Sequence, residues 1–291
     1  MKNNGQSGAR SGDHTHASVR RSDVQAWVTD RTTALKPSTL GTVYTILANI
    51  FRTAVQDGLL AKTPCERIEL PRETRAEAVP FGPSAVNALA EAVGERNRAL
   101  ILTAATTGMR QAELFGLTRD RIDFMRRTVK VDRQLVAVDK DGAPLFGPPK
   151  TDASVRTIPL PQVALDAISA HIASYGVAAD GLLFTTGSGT PWRRNNFHRQ
   201  VWTPALKTVQ LPPKATFHGL RHTYASLLIH AGESPRAIQG WLGHKSITET
   251  FDTYGHMWPS DHESTRAAID AAFDPHRVDE SLTQTASEEA S

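Results

Sequence analysis

Residues 218–254 read HGLRHTYASLLIHAGESPRAIQGWLGHKSITETFDTY, and the fold is decided here. His218 and Arg221 are three apart, which puts them on one face of a helix that Thr216 is placed to cap. From a short strand expected at Leu182–Thr185 onward, the pattern stays mostly helical to Phe273. Working back, apolar periodicity predicts helices at about 84–93, 96–107 and 110–117, and over Gln162–Tyr175. Between them, alternation predicts a strand over Thr128–Val138, a turn at Asp139-Lys140-Asp141-Gly142 and a strand over Ser154–Leu160. The expected class is therefore mainly α with a small antiparallel β-sheet (α+β), without internal repeats.

The N-terminal part is smaller. Ser22 with Gln25 three residues on predicts a capping box, opening a helix through Val24, Trp27 and Val28 that stops before Pro37. Ser38 is then expected to cap a second helix, with Leu40, Val43, Tyr44, Leu47, Ile50, Phe51 and Ala54 at helical spacing and Asp57-Gly58 at its end. The stretch LPRETRAEAVPFGP has prolines at both ends and charges between, the composition of a linker. The expected organisation is a disordered leader at 1–15, a partial helical domain at 16–70, a linker at 71–83, a larger domain at 84–275 and an acidic tail at 276–291.

Composition excludes several classes. The 291 residues include one cysteine, so no intramolecular disulfide framework exists, and a reducing, cytoplasmic setting is expected. The most apolar stretch, Ala99–Ala105, is too short to cross a bilayer, and Met1–Arg20 has no apolar signal core. The net charge is +3, but Val278–Ser291 holds four acids and no cation, leaving +7 on the remainder. A basic body suits an anionic partner such as nucleic acid.

Four motifs could carry chemistry. In Thr107-Gly108-Met109-Arg110-Gln111-Ala112-Glu113-Leu114, Gly108 permits a tight turn, Arg110 falls in the first turn of a helix, and Glu113 lies on its face. A guanidinium there is either a phosphate ligand or half of a surface ion pair. Lys150, before a strand, can reach into a cleft or simply be solvated. His218 beside Arg221 suits acid–base work on a phosphate, with His222 expected as a packed core histidine. Tyr254, ten residues after His244, could attack phosphorus if nearby cations offset its phenol pKa; Tyr44, Tyr175 and Tyr224 are expected to be packed in the core. Trp192-Arg193-Arg194-Asn195-Asn196-Phe197-His198-Arg199 reads as a helix start contacting phosphates through Arg193, Arg194 and Arg199, with Trp192 and Phe197 open between that role and core packing. Ser264–Phe273 is a short amphipathic helix that either packs in cis or docks on another protomer.

Taken in order, the spacing Arg–(40)–Lys–(68)–His-x-x-Arg–(23)–His–(10)–Tyr resembles the catalytic set of the tyrosine recombinases, the phage-integrase family. TGMRQAEL, KTDASVRTIPL, HGLRHTYASLL and LGHKSITETFDTY carry the resemblance over about residues 80–260, and KPSTL…FRTAVQDGLLAKTPC resembles the end of that family's core-binding domain. The resemblance implies a catalytic domain preceded by a partial core-binding domain. It also implies cutting and rejoining of double-stranded DNA at specific sites, by a homo-oligomer, a tetramer on DNA, with accessory bending or directionality factors. Position by position, it makes Tyr254 the nucleophile of a 3′-phosphotyrosyl intermediate and sets Arg110 and Arg221 on the scissile phosphate. His244 would donate to that phosphate, His218 take the tyrosine proton, Lys150 protonate the 5′-oxygen, and Glu113 hold Arg110. No cofactor or metal is implied, since two arginines neutralise the charge that metal ions carry in nucleases.

One departure is plain. Family members of integrase type usually begin with an arm-binding domain and a longer core-binding domain, and only the second half of the latter is visible, so an incomplete clamp on DNA is expected. The principal reading is an integrase of a mobile element. Its alternatives are a resolvase of chromosome or plasmid dimers and a DNA-binding protein of the same fold that no longer cuts.

Overall fold

The computed structural model describes residues 19–72, 78–213, 215–258 and 262–273. The expected leader at 1–15 and acidic tail at 276–291 lie outside them. The chain divides into two compact units between Ala76 and Glu77, within the stretch 71–83.

The first unit holds α1 (Arg21–Arg31) and α2 (Pro37–Gln56). α1 starts two residues earlier than the capping box predicts, with Arg20 rather than Ser22 as its N-cap. The backbone N–H of Arg20 donates to the Asp23 carboxylate at 2.9 Å, so Asp23, not Gln25, closes the first turn. Gln25 is used elsewhere: its side-chain amide exchanges two hydrogen bonds with the backbone of Glu69, at 3.2 and 2.9 Å. α2 likewise begins at Pro37, with Lys36 as N-cap, which leaves Ser38 inside the helix. A proline's fixed φ suits the first helical position and outweighs the serine's preference for the cap. Val24, Val28 and Leu40 are buried, and the Tyr44 hydroxyl donates to the Cys65 carbonyl at 2.7 Å. The stripe read along α2 is not all core, since Val43 and Ile50 are exposed. The helix ends where Asp57-Gly58 predicts, with Gly58 at φ 74°.

The second unit is built on α4 (Glu95–Thr107), whose residues 99–105 are buried all round, as an apolar run without amphipathic period requires. α3 (Pro83–Ala92), α6 (Gln162–Tyr175) and α9 (Gly219–His230) pack on it. α5 (Gln111–Phe115) follows it closely. A three-stranded antiparallel sheet orders β1 (Ile122–Asp123), β2 (Thr128–Val131) and β5 (Arg156–Pro159), with Val129 opposite Ile158. β3 (Gln134–Val138) and β4 (Pro144–Gly147) form a separate hairpin. The single strand expected over Thr128–Val138 is thus two strands in two sheets. Asp132 sits at the break, held by Arg121 at 2.8 Å and Lys130 at 3.2 Å.

Leu182 and Thr185 make isolated bridges to Thr118 and Pro191 rather than a strand. α7 (Arg194–Phe197) runs through a π-turn at His198–Trp202 into α8 (Thr203–Leu206). α10 (Pro235–Leu242), α11 (Ile247–Tyr254) and α12 (His262–Ala272) are the last helices among the described residues, with Ile269 and Phe273 exposed. Trp192 and Phe197 are both core. Tyr175 is not: its ring is 36% exposed and lies 4.9 Å beneath the Arg96 guanidinium. No helix among the described residues is long and apolar enough to cross a membrane.

Candidate active site

The site is assembled from helix ends. Gly108 closes α4 in the left-handed region (φ 62°), and a Cβ there would lie 2.4 Å from Tyr224 Cδ1, so no other residue fits. The turn delivers Arg110 to the N-cap of α5, one residue ahead of the first turn that the sequence predicts. Its backbone N–H donates to Glu113 Oε2 at 2.8 Å, and its guanidinium to Glu113 Oε1 (2.9 Å), Ser154 Oγ (3.2 Å) and the Gly243 carbonyl (3.0 Å).

Glu113 is buried and shared. Arg156 donates to Oε2 at 2.9 Å and to Oε1 at 3.2 Å. Burial works to raise the Glu113 pKa, but the Arg156 and Arg110 guanidiniums outweigh it and hold the carboxyl below the usual range. Arg156 points inward because β5 alternates buried and exposed residues, and it also donates to the carbonyls of Trp241 and Ser154. Gly243 ends α10 in the left-handed region, where a Cβ would press on Ser154 Cα at 3.0 Å.

α9 begins with His218 as its N-cap; Thr216, the expected cap, supplies only its carbonyl to the Gly219 N–H. One turn on, Arg221 is buried, donating to the carbonyls of Gly108 (2.7 Å) and Leu242 (2.6 Å). Burial, then Arg110, pushes it down to about 9, which leaves it cationic at neutral pH. His222 packs edge-on to His218, with ring centroids 4.7 Å apart.

Tyr254, the last residue of α11, is 1% exposed. Its ring stacks on His244 at 6.1 Å and 10°, and its hydroxyl lies 3.0 Å from His222 Nδ1. His222 is therefore half-buried beside the phenol, not a core histidine. The geometry behind this is simple: His218 stays at the exposed mouth of α9, while His222 lies four residues further along the helix. Burial raises Tyr254 to about 12, and Arg221 only partly opposes it, so the cations do not make a ready phenolate. His244 is buried, its Nδ1 2.8 Å from Thr250 Oγ1. Burial first, then neighbouring cations, lowers His244 to about 3 and His222 to about 4, so both imidazoles are neutral at pH 7.

Arg110, Arg221, His218, Arg193, Arg194 and His198 line one open cleft of about 790 Å³ beside the β3 strand. Two expected contributors stand apart. Lys150 is exposed in the loop after β4 and makes no hydrogen bond or ion pair among the described residues, although Thr151 beside it bonds to Ser154 under Arg110. Arg199 is exposed but not in the lining. Sequence reasoning missed Arg156, Ser154, Thr250 and His222. For Arg156, an arginine at an inward position of an alternating strand was the available signal. No group of three or more His, Cys, Asp or Glu spaced to hold a metal ion exists among the described residues. Chemically, the arrangement is an anion-binding cleft with two fixed guanidiniums and a buried phenol behind them.

Comparison with known proteins agrees in kind. Residues 82–260 match the family model described as the phage integrase family. The chain is 30% identical over 247 residues to a tyrosine recombinase XerC-like protein of Caldanaerobacter subterraneus subsp. tengcongensis, covering 76% of this chain and 63% of that one. It is 27% identical to the prophage integrase IntR of Escherichia coli, covering 77% and 58%. It thus spans about three fifths of the length of these relatives. Among solved structures, the Tn1549 transposon integrase in complex with a circular intermediate DNA superposes with a TM-score of 0.73 at 26% identity, covering 87% of this chain and 85% of that one.

Proposed function

The chain belongs to the phage integrase family, and on that premise we propose that it cuts and rejoins double-stranded DNA at specific sites through a 3′-phosphotyrosyl intermediate. The observation that carries this reading is the junction of Tyr254 with the two-arginine cleft: its hydroxyl lies 3.0 Å from Nδ1 of His222, the next residue on α9 after Arg221, which lines that cleft with Arg110.

In this mechanism Arg110 and Arg221 hold the non-bridging oxygens of the scissile phosphate. Their remaining bonds, to Glu113, Ser154 and three carbonyls, fix the guanidiniums before DNA arrives, so little reorganisation is left for the transition state. A hydroxyl proton from Thr250 on His244 Nδ1 leaves the hydrogen on Nε2, the tautomer that can donate to the phosphate. Tyr254 attacks phosphorus in line, Lys150 swings in from its exposed loop to protonate the departing 5′-oxygen, and the phosphotyrosine keeps the bond energy for rejoining. His218, at the start of α9, takes the proton of Tyr254, the role that the family resemblance gives it. Arg193 and Arg194 in the cleft, with Arg199 outside it, bind flanking phosphates.

The working unit is a homotetramer on DNA in the cytoplasm, assisted by accessory bending or directionality factors. Integration of a mobile element is favoured by the similarity to a prophage integrase and to a transposon integrase that was solved on circular intermediate DNA. The test uses nicked duplexes tiled across the DNA that flanks the gene. A denaturant-resistant adduct, absent with Tyr254→Phe, is expected; binding of the same duplexes without any adduct would leave only the non-cutting alternative.

A further inference from the structure

Three guanidiniums and one buried carboxylate make up the charged centre of the site. Arg110 and Arg221 line the cleft; Arg156, its side chain 5% exposed, does not. All but one of its N–H donors are spent on protein. Nε donates to the Trp241 carbonyl (2.6 Å), Nη1 to Glu113 Oε1 (3.2 Å) and the Ser154 carbonyl (2.8 Å), and Nη2 to Glu113 Oε2 (2.9 Å). Arg110 commits less. Its side chain donates to Glu113 Oε1, Ser154 Oγ and the Gly243 carbonyl, which leaves Nε–H and one hydrogen of Nη2 without a partner among the described residues.

Glu113 poses a conflict for Arg110. A carboxylate that accepts from this guanidinium fixes its direction, but the same anion cancels the charge that a phosphate needs. Arg156 removes the conflict. It grips both oxygens of Glu113, whereas the Arg110 guanidinium reaches only Oε1. Burial works against an ionised Glu113, and Arg156 opposes that burial more strongly than Arg110 does. Glu113 is the only carboxylate bonded to any of the three arginines among the described residues. Glu113 and Arg156 therefore offset each other, and Arg110 and Arg221 line the cleft as uncompensated cations.

Resting on the recombinase reading above, we propose that Arg156 is a positioning residue of strand transfer that takes up the charge of Glu113, so that Glu113 orients Arg110 without neutralising it. Arg110 then meets the scissile phosphate as a full cation. The demand is greatest in the transition state, where negative charge gathers on the non-bridging oxygens. Arg156 touches no DNA and acts only through its neighbours. Its other bonds serve the same end. The Ser154 whose carbonyl it holds offers its Oγ to Arg110, and the Trp241 carbonyl lies just before Gly243, whose carbonyl Arg110 also holds. One guanidinium thus braces every side-chain support of Arg110.

The experiment measures the rate of adduct formation on a nicked duplex at saturating protein, with DNA affinity and thermal midpoint in parallel. The proteins are wild type, Arg156→Gln, Arg156→Lys and the double variant Glu113→Gln/Arg156→Gln. Arg156→Gln should slow adduct formation about ten- to a hundred-fold, less than the loss of a donor that touches the reacting group, and leave DNA affinity little changed. Arg156→Lys, which keeps the charge and loses the fork, should recover most of that loss. The double variant removes the uncompensated carboxylate as well, so it should form adduct faster than Arg156→Gln and within about tenfold of wild type. A merely structural arginine predicts the reverse, with lysine failing as glutamine does and the double variant no better than the single one; either result would overturn the proposal. If Arg156→Gln does not fold, the double variant decides alone, and a folded double variant slower than about tenfold below wild type counts against it. Wild type that binds the duplex and forms no adduct would instead strike the recombinase reading.

Discussion

Replacing Glu113 by alanine leaves Arg110 and Arg156 facing each other across a buried space. The carboxylate accepts four hydrogen bonds between 2.8 and 3.2 Å from those two arginines, and it is 2% exposed. Those bonds are not additive, because one carboxylate serves them all. Breaking a buried ion pair from one side typically costs about 3–5 kcal/mol, since the surviving charges lose their partner. At about 2–4 °C per kcal/mol for a unit of this size, the midpoint of thermal unfolding should fall by roughly 6–20 °C. Glu113→Gln, which keeps the shape and loses the charge, should fall by less. The dependence on pH has a definite sign. The Glu113 pKa is lower in the folded chain than its unfolded value of 4.5, so its contribution is complete above that value and is lost as pH falls through the folded pKa. Calorimetry of wild type and Glu113→Ala at pH 7 and at pH 4 measures both effects. A midpoint within about 2 °C of wild type at pH 7 would refute the argument that this carboxylate holds the arginines together.

Four further outcomes are expected. Tyr254→Phe should abolish adduct and leave DNA binding intact, whereas Tyr224→Phe, which alters a hydroxyl away from the cleft lining, should still form it; denaturing gels of the nicked-duplex reaction decide. Lys150→Ala should slow cleavage about a hundred- to ten-thousand-fold, and a bridging 5′-sulfur, whose thiolate leaves without a proton, should restore most of the rate; a rate still slow with sulfur would make the lysine's role positional. If about six phosphates are contacted, affinity for DNA should drop by about three orders of magnitude between 50 and 200 mM salt, and a flat titration would contradict the backbone-directed contacts. Folding stability should decline as pH falls below 6.5, because His222 and His244 take up protons in the unfolded chain before they can in the folded one; urea titrations at pH 7.5 and 5.5 that coincide would oppose this.

The long helices were legible because their apolar periods are strong, and α4 in particular announces itself by an unbroken apolar run. The motif arginines, histidines and tyrosine were legible by spacing. What escaped were features settled by tertiary geometry. β2 and β3 look like one strand until Asp132 is seen paired with Arg121 and Lys130 at the break. Ser22, Ser38 and Thr216 are good caps by type, yet Asp23, Pro37 and His218 set the helix starts. His222 read as filler because nothing in its neighbours announces Tyr254, thirty-two residues away in the chain. Arg156, forty-three residues from Glu113, hid for the same reason.

The carbonyls that hold the two arginines have an implication for how the protein comes into being. Arg221 reaches back 113 residues to the Gly108 carbonyl, and Arg110 reaches forward 133 to that of Gly243. These carbonyls lie where α4 and α10 terminate, so neither guanidinium has its anchor until both helices exist and their ends have met. Contacts of such separation are among the last to close. Quality control is thus built into the fold: a nascent or half-folded chain can be sticky and basic, but it has no arginine clamp.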